Sequence, residues 1–253
     1  MPASDNRLLA NLTSVRRRIA EAALAAGRRP EDVRLVAVTK YVDVPTTARL
    51  AALGQLDLGE SRPQQLWEKA AALADSAVRW HLIGHLQRNK VRRTLPFVHL
   101  LHSGDSRRLL EEVERETGAA GRPMLDVLLE VNVSGEEAKH GFAADDFGRT
   151  EDELQRTAEH LAALGHLNIR GLMCMAGLDN DPAAARRDFA RLRELRERLQ
   201  REWAGRFTPA ELSMGMSGDF EAAIAEGATI VRVGSALFEG CDGPSEESGE
   251  PRP

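Results

Sequence analysis

A closed parallel barrel of eight strands with helices between them, the (β/α)8 class of α/β fold, is predicted by three features of the sequence. The chain has 253 residues, and such a barrel alone commonly fills about 250. Eight short runs rich in Val, Ile and Leu recur along it, and several are continuously apolar, as in strands that are buried on both faces. Longer amphipathic segments separate these runs. Repeated strand-then-helix alternation favours a closed barrel over an open sheet.

The eight predicted strands share this apolar character and are spaced along the whole chain. In chain order they are Val33–Lys40, Leu56–Ser61, Val78–His85, Phe97–Asp105, Met124–Val133, Ile169–Ala176, Glu211–Ser217 and Ile230–Phe238.

The predicted helices begin with an extra N-terminal helix, about Arg7–Ala26, which ends near Gly27 because glycine commonly stops a helix. Those between strands include Pro63–Ala74, Ser106–Thr117, Asp145–Leu164, Pro182–Trp203 and Asp219–Glu226. No linker or shift of composition divides the chain, so we expect one barrel domain over residues 1–240. Residues 241–253 are rich in Pro, Gly, Ser and Glu and are predicted to form a flexible tail.

Composition excludes several classes of protein. Apolar residues make up 42% and charged residues 29% of the chain, which is typical of a globular protein. The two cysteines rule out a disulfide scaffold. No apolar run reaches the roughly 18 residues that a membrane span needs, and the N-terminus lacks the apolar core of a signal peptide. We therefore expect a cytoplasmic protein without a membrane partner; a monomer is expected, and a dimer is left open.

Nucleic acid is not an expected partner. The formal net charge is −5, so no global positive field attracts a polyanion. A local basic run follows the third predicted strand, at Arg88, Lys90, Arg92 and Arg93. Because this run lacks interleaved aromatic residues, we interpret it as the solvated face of a helix.

The carboxyl ends of the predicted strands carry the candidate functional residues, since chemistry in parallel barrels is located there. Lys40 is the single lysine among these ends and directly follows an apolar strand. Loss of bulk water disfavours the ammonium form of a lysine, and a neutral amine can attack an aldehyde. The alternatives are a lysine that extends to the barrel rim or that pairs with Glu60.

Two loops lie where this architecture usually binds phosphate, after the seventh and eighth predicted strands. The first contains Ser213-Met214-Gly215-Met216-Ser217-Gly218, whose small residues let backbone N–H groups approach an anion. The second contains Gly234-Ser235, a turn that opens a short helix whose first amides can bind phosphate. A reactive lysine facing this pair of loops predicts a phosphorylated aldehyde as cofactor or substrate.

Arg232 lies two residues before Gly234, and strand alternation places both residues on one face. In proteins that bind pyridoxal 5′-phosphate (PLP), the partner of the pyridine nitrogen is typically Asp or Arg. An arginine keeps its proton and donates a hydrogen bond, which leaves the ring nitrogen unprotonated and the ring a poorer electron sink. The alternative is a buried arginine that pairs with a strand or rim carboxylate.

Taken together, these residues resemble the pyridoxal phosphate homeostasis family, single-domain PLP-binding proteins related to the barrel domain of alanine racemase. The resemblance covers about residues 7–240. The runs that carry it are Leu35–Lys40, Gly59–Arg62, Trp80–Lys90, Val131–Glu136, Gly171–Met173, Leu212–Ser217 and Val231–Ser235. The tryptophan-to-lysine run and the Ser-Met-Gly-Met-Ser run are highly specific.

This resemblance implies that Lys40 forms an internal aldimine with PLP and that Arg232 neighbours the ring nitrogen. It implies phosphate contacts for Ser213, Gly234 and Ser235. Its functional implication is intracellular PLP homeostasis, in which the protein buffers PLP and supplies it to apo-enzymes.

One position departs from the family pattern. The family usually carries Gly-Glu-Asn where this chain has Gly59-Glu60-Ser61, and that asparagine lies near the cofactor. Serine is shorter and has a single rotatable hydroxyl. We therefore expect a bridging water at Ser61 in place of a direct contact.

Neither a metal site nor a cysteine nucleophile is expected. His81 and His85 are four residues apart, a ligand spacing on a helix, but on a strand this spacing separates them by about 13 Å. Cys174 ends the sixth predicted strand without an indicated base, so we interpret it as a packed thiol. Four methionines at strand ends are expected to pack around a ring: Met173, Met175, Met214 and Met216.

Two functions of different class remain: a non-catalytic PLP-binding protein and a PLP-dependent amino-acid racemase. Racemisation needs a proton donor and an acceptor on opposite faces of the substrate α-carbon. In the alanine racemases the second base is a tyrosine from a second domain of a partner subunit, for which this sequence offers no counterpart. The single tyrosine, Tyr41, follows Lys40, and neighbours on a strand point to opposite faces. We therefore predict a binding protein without catalytic residues.

Overall fold

The computed structural model describes residues 3–122, 124–136, 139–143, 156, 165–177, 182–202 and 209–241. Its strands are β1 (Arg34–Val38), β2 (Asp57–Glu60), β3 (Arg79–Leu82), β4 (Val98–Gly104), β5 (Leu125–Asn132), β6 (Phe142–Ala143), β7 (Leu167–Met173), β8 (Glu211–Ser213) and β9 (Ile230–Val233). Its α-helices are α1 (Ala3–Ala25), α2 (Val44–Ala52), α3 (Pro63–Ala72), α4 (Val91–Thr94), α5 (Arg107–Ala119), α6 (Pro182–Glu202), α7 (Phe220–Ala225) and α8 (Ser235–Phe238).

Eight of these strands form a closed parallel barrel. They pair in the order β4-β3-β2-β1-β9-β8-β7-β5, and pairing of β4 with β5 closes the sheet. The two-residue β6, which the sequence did not predict, adds to β5 through the pair Val131 and Phe142. The predicted (β/α)8 fold with an additional N-terminal helix is confirmed.

The barrel core has two layers that follow from strand alternation. In β1, Leu35 and Ala37 pack outward against the helices, whereas Val36 points into the barrel. The inner apolar layer consists of Val36, Leu100, Leu128, Met173 and Ile230. Arg232 pairs with Val36 in register on the neighbouring strand, so its side chain enters the same interior.

The observed elements differ from the predicted ones mainly at their ends and in the short connections. Helix α2 was not among the predicted helices; Asp43 caps it by accepting a hydrogen bond of 2.9 Å from the Thr46 N–H. The predicted helix 145–164, apart from residue 156, and the tail beyond residue 241 lie outside the described residues. Among the described helices, none offers an apolar stretch of bilayer-spanning length.

Helix α1 packs across α7 and α8, near the carboxyl end of the barrel. The Arg18 guanidinium lies 4.5 Å from the centroid of the Phe220 ring. Nearer the start of the same helix, the Asn11 amide donates hydrogen bonds to the carbonyl oxygens of Leu237 (3.0 Å) and Glu239 (2.9 Å). The first helix therefore holds the last turn of α8, whose first residues line the site described below.

Candidate functional site

A cavity of about 690 Å³ opens at the carboxyl ends of the barrel strands. This volume is in the usual range for a small-molecule site, roughly 300–1,000 Å³. Its lining includes four of the five predicted site residues, Lys40, Arg232, Gly234 and Ser235. The fifth, Ser213, is buried in the barrel interior and does not belong to this lining.

Lys40 lies in the turn after β1, half-buried at the cavity wall. Its Nζ is 4.7 Å from the centroid of the Tyr41 ring. The expectation that Tyr41 points away from Lys40 is wrong, because β1 ends at Val38 and strand alternation does not extend to these residues. Tyr41 is 78% exposed and also lines the cavity.

Glu60, the alternative partner of Lys40, is bound by another lysine. The Lys69 Nζ lies 2.6 Å from Glu60 Oε1 and also donates to the Thr39 carbonyl at 2.6 Å. The Thr39 hydroxyl donates to the same carboxylate oxygen at 2.6 Å. Both charged side chains are buried, so this ion pair fixes the backbone next to Lys40 and leaves the Lys40 amine to the cavity.

The two phosphate-type loops meet at Ser217. Its hydroxyl accepts hydrogen bonds from the backbone N–H groups of Gly234 (3.2 Å) and Ala236 (3.5 Å). Gly215 makes the turn that carries the first loop away from β8, with a positive φ of 93° that glycine adopts without strain. Ser217 and Gly218 line the cavity beside Gly234 and Ser235.

Sequence reasoning selected the first serine of the Ser-Met-Gly-Met-Ser run for the phosphate, whereas the second serine is the one at the cavity. The predicted strand, Glu211–Ser217, ran four residues past the end of β8 at Ser213 and therefore placed both serines on the strand. A strand that ends at Ser213 leaves Ser217 in the loop, where backbone N–H groups are free to converge.

Arg232 is buried and joins the cavity to the barrel interior. Its Nη1 donates to the Ser213 hydroxyl at 2.7 Å, and its Nη2 donates to the Cys174 carbonyl at 2.8 Å. Burial lowers the pKa of Arg232 from its ordinary value, although a guanidinium keeps its proton in proteins. Within the described part of the chain Arg232 forms no ion pair, which disfavours the alternative of a carboxylate partner.

Ser61 ends the turn after β2 and lines the cavity, as expected of a residue near a ligand. The neighbouring chain comes very close to it at Gly84. A Cβ atom on Gly84 would lie 2.3 Å from the Ser61 carbonyl oxygen. This wall of the cavity therefore requires glycine at position 84.

The two histidines at metal-type spacing occupy different environments. His81 is fully buried in the barrel, whereas His85 is exposed at the carboxyl end, where its Nδ1 lies 2.6 Å from Asp105 Oδ2. His85, Asp105 and His140 bring potential ligand atoms within 4.8 Å of one another. The rings of His85 and His140 are stacked with planes 13° apart, however, so their in-plane lone pairs do not converge on one ion.

The sulfur-containing residues around the site have packing environments. Burial raises the pKa of the Cys174 thiol to about 12, which makes it a poor nucleophile. Met173 and Met214 are buried in the core, whereas Met175 and Met216 are partly exposed and line the cavity. An apolar rim thus surrounds the polar groups of the site.

Glu130 is a titratable residue near the site that sequence reasoning missed. It lies on β5, two residues before the carboxyl end of the strand at Asn132. Burial together with the negative charge of Asp105 raises its pKa to about 7. Arg232 and His85 oppose this shift. A single carboxylate near the end of the apolar run Leu125–Val133 was the available signal.

Comparisons with known proteins agree on one family. Residues 10–241 match the family described as the N-terminal domain of alanine racemase. The pyridoxal phosphate homeostasis protein of Pseudomonas aeruginosa is 43% identical over 228 residues, covering 90% of this chain and 93% of that protein. The protein of the same name from Aquifex aeolicus is 38% identical over 227 residues, covering 90% and 95%.

A solved structure extends the similarity to a ligand complex. The structure of PipY from Synechococcus elongatus with PLP bound is 35% identical to this chain, with a TM-score of 0.74, and the match covers 87% of this chain and 99% of PipY.

Proposed function

This chain belongs to the family of the alanine racemase N-terminal domain and, within it, to the pyridoxal phosphate homeostasis proteins, and on that premise we propose that it binds PLP reversibly through Lys40 and supplies it to apo-enzymes. The observation that carries the proposal is the convergence of Lys40, Arg232 and the Ser217–Gly234 loop pair on one cavity of about 690 Å³.

The residues of the cavity fit the three functional parts of PLP. Lys40 offers an amine for the aldehyde. Arg232 has five N–H donors, of which two bind Ser213 and Cys174 within the described structure, so donors remain for a ring nitrogen. The Ser217 hydroxyl and the Ser235 backbone N–H offer hydrogen-bond donors to a phosphate, next to the Gly234 N–H that donates to Ser217.

Bound PLP would supply an electrophilic aldehyde, and the Lys40 amine would be the nucleophile that condenses with it to an imine, with loss of one water. The amine must be neutral to react. Because Lys69 occupies Glu60, the Lys40 amine is not held as half of that ion pair. Hydrolysis of the imine restores both partners, which makes the storage reversible.

The second candidate function, amino-acid racemisation, receives less support. It requires proton-transfer groups on opposite faces of a substrate. Tyr41 is the single tyrosine of the chain, and its ring lies against the Lys40 amine. Lys40 and Tyr41 therefore reach the cavity from one side.

Replacement of Lys40 tests the proposal directly. We expect purified protein with added PLP to show a visible absorbance band and to retain the cofactor covalently after borohydride reduction. Lys40→Ala should lose both signals, whereas Lys90→Ala, on the basic turn far from the cavity lining, should keep them. A Lys40→Ala protein with an unchanged band contradicts the proposal.

Supply to apo-enzymes and the absence of catalysis need separate measurements. Loaded protein should restore activity to an apo-PLP enzyme faster than the spontaneous release of PLP measured with a trapping reagent. Stereo-inversion of alanine by the wild-type protein, well above the Lys40→Ala level, would establish the racemase alternative.

A further inference from the structure

A buried chain of hydrogen bonds crosses the barrel interior from its amino-terminal end to the cavity. Arg232 Nη1 lies 2.7 Å from Ser213 Oγ, which lies 2.9 Å from His102 Nδ1. His102 Nε2 lies 2.9 Å from His81 Nδ1. His81 Nε2 lies 3.0 Å from Asp57 Oδ1, at the first residue of β2. We call these five residues, Arg232, Ser213, His102, His81 and Asp57, the interior relay.

The two ends of the interior relay determine the direction of each hydrogen bond. A guanidinium cannot accept, so the Ser213 oxygen accepts from Arg232, and at the other end the Asp57 carboxylate accepts from His81. With two neutral rings between these ends, the Ser213 hydroxyl proton goes to His102 Nδ1. His102 then carries its proton on Nε2 and donates to His81 Nδ1. His81 carries its proton on Nε2 and donates to Asp57, which as a carboxylate accepts.

The surroundings of Asp57, His81 and His102 determine the charge that each of them carries. Burial raises the pKa of Asp57, but hydrogen bonds from His81 and Arg79 outweigh this and hold the pKa below the usual carboxyl range. Arg79 donates to both carboxylate oxygens, at 2.8 and 2.6 Å. Burial lowers the pKa of His81 and of His102, so both rings are neutral at pH 7.

We propose that His102 and His81 are positioning residues for Arg232, and that the interior relay fixes the orientation of the guanidinium so that its free N–H donors face a hydrogen-bond acceptor in the cavity. Neither histidine lines the cavity, so both act through Ser213. Buried networks in which every member is satisfied specify one arrangement of their side chains.

This inference deepens the proposed function, since the acceptor it concerns is the ring nitrogen of PLP. A fixed donor there selects a ligand whose ring nitrogen is unprotonated. A network with only a structural role would contribute to folding stability without affecting how PLP is held.

The tautomers of the two histidines test the relay without mutation. We expect two-bond ¹H–¹⁵N spectra of the ligand-free protein to show His81 and His102 as neutral rings protonated on Nε2. On addition of PLP the ring ¹⁵N signals of His102 should shift more than those of His99, which contacts His81 but lies outside the relay. Protonation on Nδ1 of either ring, or an imidazolium at pH 7, overturns the assigned direction.

Substitutions test the positioning role. Ser213→Ala removes the hydroxyl that Arg232 contacts, and His81→Phe breaks the relay farther from the cavity. Thr117→Val serves as the matched control, because it removes a buried hydroxyl that donates to Val113 on α5 at 2.7 Å. We expect the PLP Kd to rise roughly tenfold in Ser213→Ala and about threefold in His81→Phe, equivalent to about 1.4 and 0.6 kcal/mol. The visible absorption maximum should shift in both variants and not in the control.

The outcomes separate this inference from the proposed function. A wild-type protein without a Lys40-dependent band refutes the proposed function. A wild-type protein with that band, whose Ser213→Ala and His81→Phe variants bind PLP with the Kd and absorption maximum of Thr117→Val, refutes the positioning role alone. If His81→Phe does not fold, the tautomer spectra and Ser213→Ala decide.

Discussion

Lys69 binds the carboxylate of Glu60 at 2.6 Å in a buried ion pair, whereas Lys40 lines the cavity. Removing one member of such a pair leaves an uncompensated buried charge. The first prediction follows from this contact.

Lys69→Met should lower the free energy of unfolding by about 3–5 kcal/mol, because the buried Glu60 carboxylate then lacks the cation that compensates its charge. The double variant Glu60→Gln, Lys69→Met should recover much of this loss. Urea unfolding monitored by circular dichroism measures both. As control, Arg17→Met breaks the pair with Glu21, in which both side chains are about 60% exposed, and should cost less than about 1 kcal/mol. An equally small cost for Lys69→Met would contradict the prediction.

The position of Ser217 predicts a phosphate-dependent defect. Ser217→Ala should weaken binding of PLP about tenfold, as expected when one hydrogen bond to a charged group is lost. Binding of pyridoxal, which has the ring and aldehyde but no phosphate, should change less than twofold on the same scale. Fluorescence or absorbance titrations of both ligands provide the comparison, and an equal loss for the two ligands would argue against a phosphate contact.

Two glycines that line the cavity are predicted to differ in how strongly replacement by alanine affects PLP affinity. Gly84→Ala should displace the Ser61 backbone, because the new Cβ would lie 2.3 Å from its carbonyl oxygen, and PLP affinity should fall at least tenfold. Gly218 also lines the cavity, but a Cβ there meets no described atom within 4 Å. Gly218→Ala should therefore bind PLP within about threefold of wild type. Titration of both variants with PLP checks this, and equal affinities would be the contrary result.

The raised pKa of Glu130 predicts that the free energy of unfolding falls as pH rises. Its pKa is raised from 4.5 to about 7 in the folded protein. Between these values the folded chain retains a proton that the unfolded chain has released, so the free energy of unfolding decreases as pH increases through this window. Above pH 7 this contribution amounts to a destabilisation of about 3 kcal/mol.

Glu130→Gln removes this titration. The variant should gain stability relative to wild type as pH is raised from 5 to 8, as measured by urea unfolding at several pH values. Glu68→Gln, at an exposed position on α3, provides the comparison. Its free energy of unfolding should change with pH as that of wild type does. If the free energies of unfolding of Glu130→Gln and wild type changed with pH in the same way, the prediction of a raised Glu130 pKa would be contradicted.

The barrel could be predicted from sequence because its strands are short apolar runs with helices between them, a local pattern. Lys40, Arg232, Gly234 and Ser235 were found for a related reason: the end of a strand is visible in sequence, and the carboxyl ends of parallel strands meet. Sequence does not define that end to the residue, which explains the error at Tyr41 and the choice of Ser213 over Ser217.

The interior relay could not be predicted in this way. Its His102–Ser213 contact joins residues 111 positions apart, and the relay depends on the register of five different strands. In the sequence, His81 and His102 are two histidines among seven. The closed barrel brings these two rings within hydrogen-bond distance. Asp57 and Arg232, at the two ends of the relay, determine which nitrogen of each ring carries the proton.

The hydrogen bonds from Asn11 to the carbonyl oxygens of Leu237 and Glu239 connect the leading helix to the turn that begins at Gly234. The turn that would grip the phosphate is braced from behind by a segment that precedes the barrel in sequence. A displacement of this helix would therefore move that turn from outside, without a change in any residue that lines the cavity.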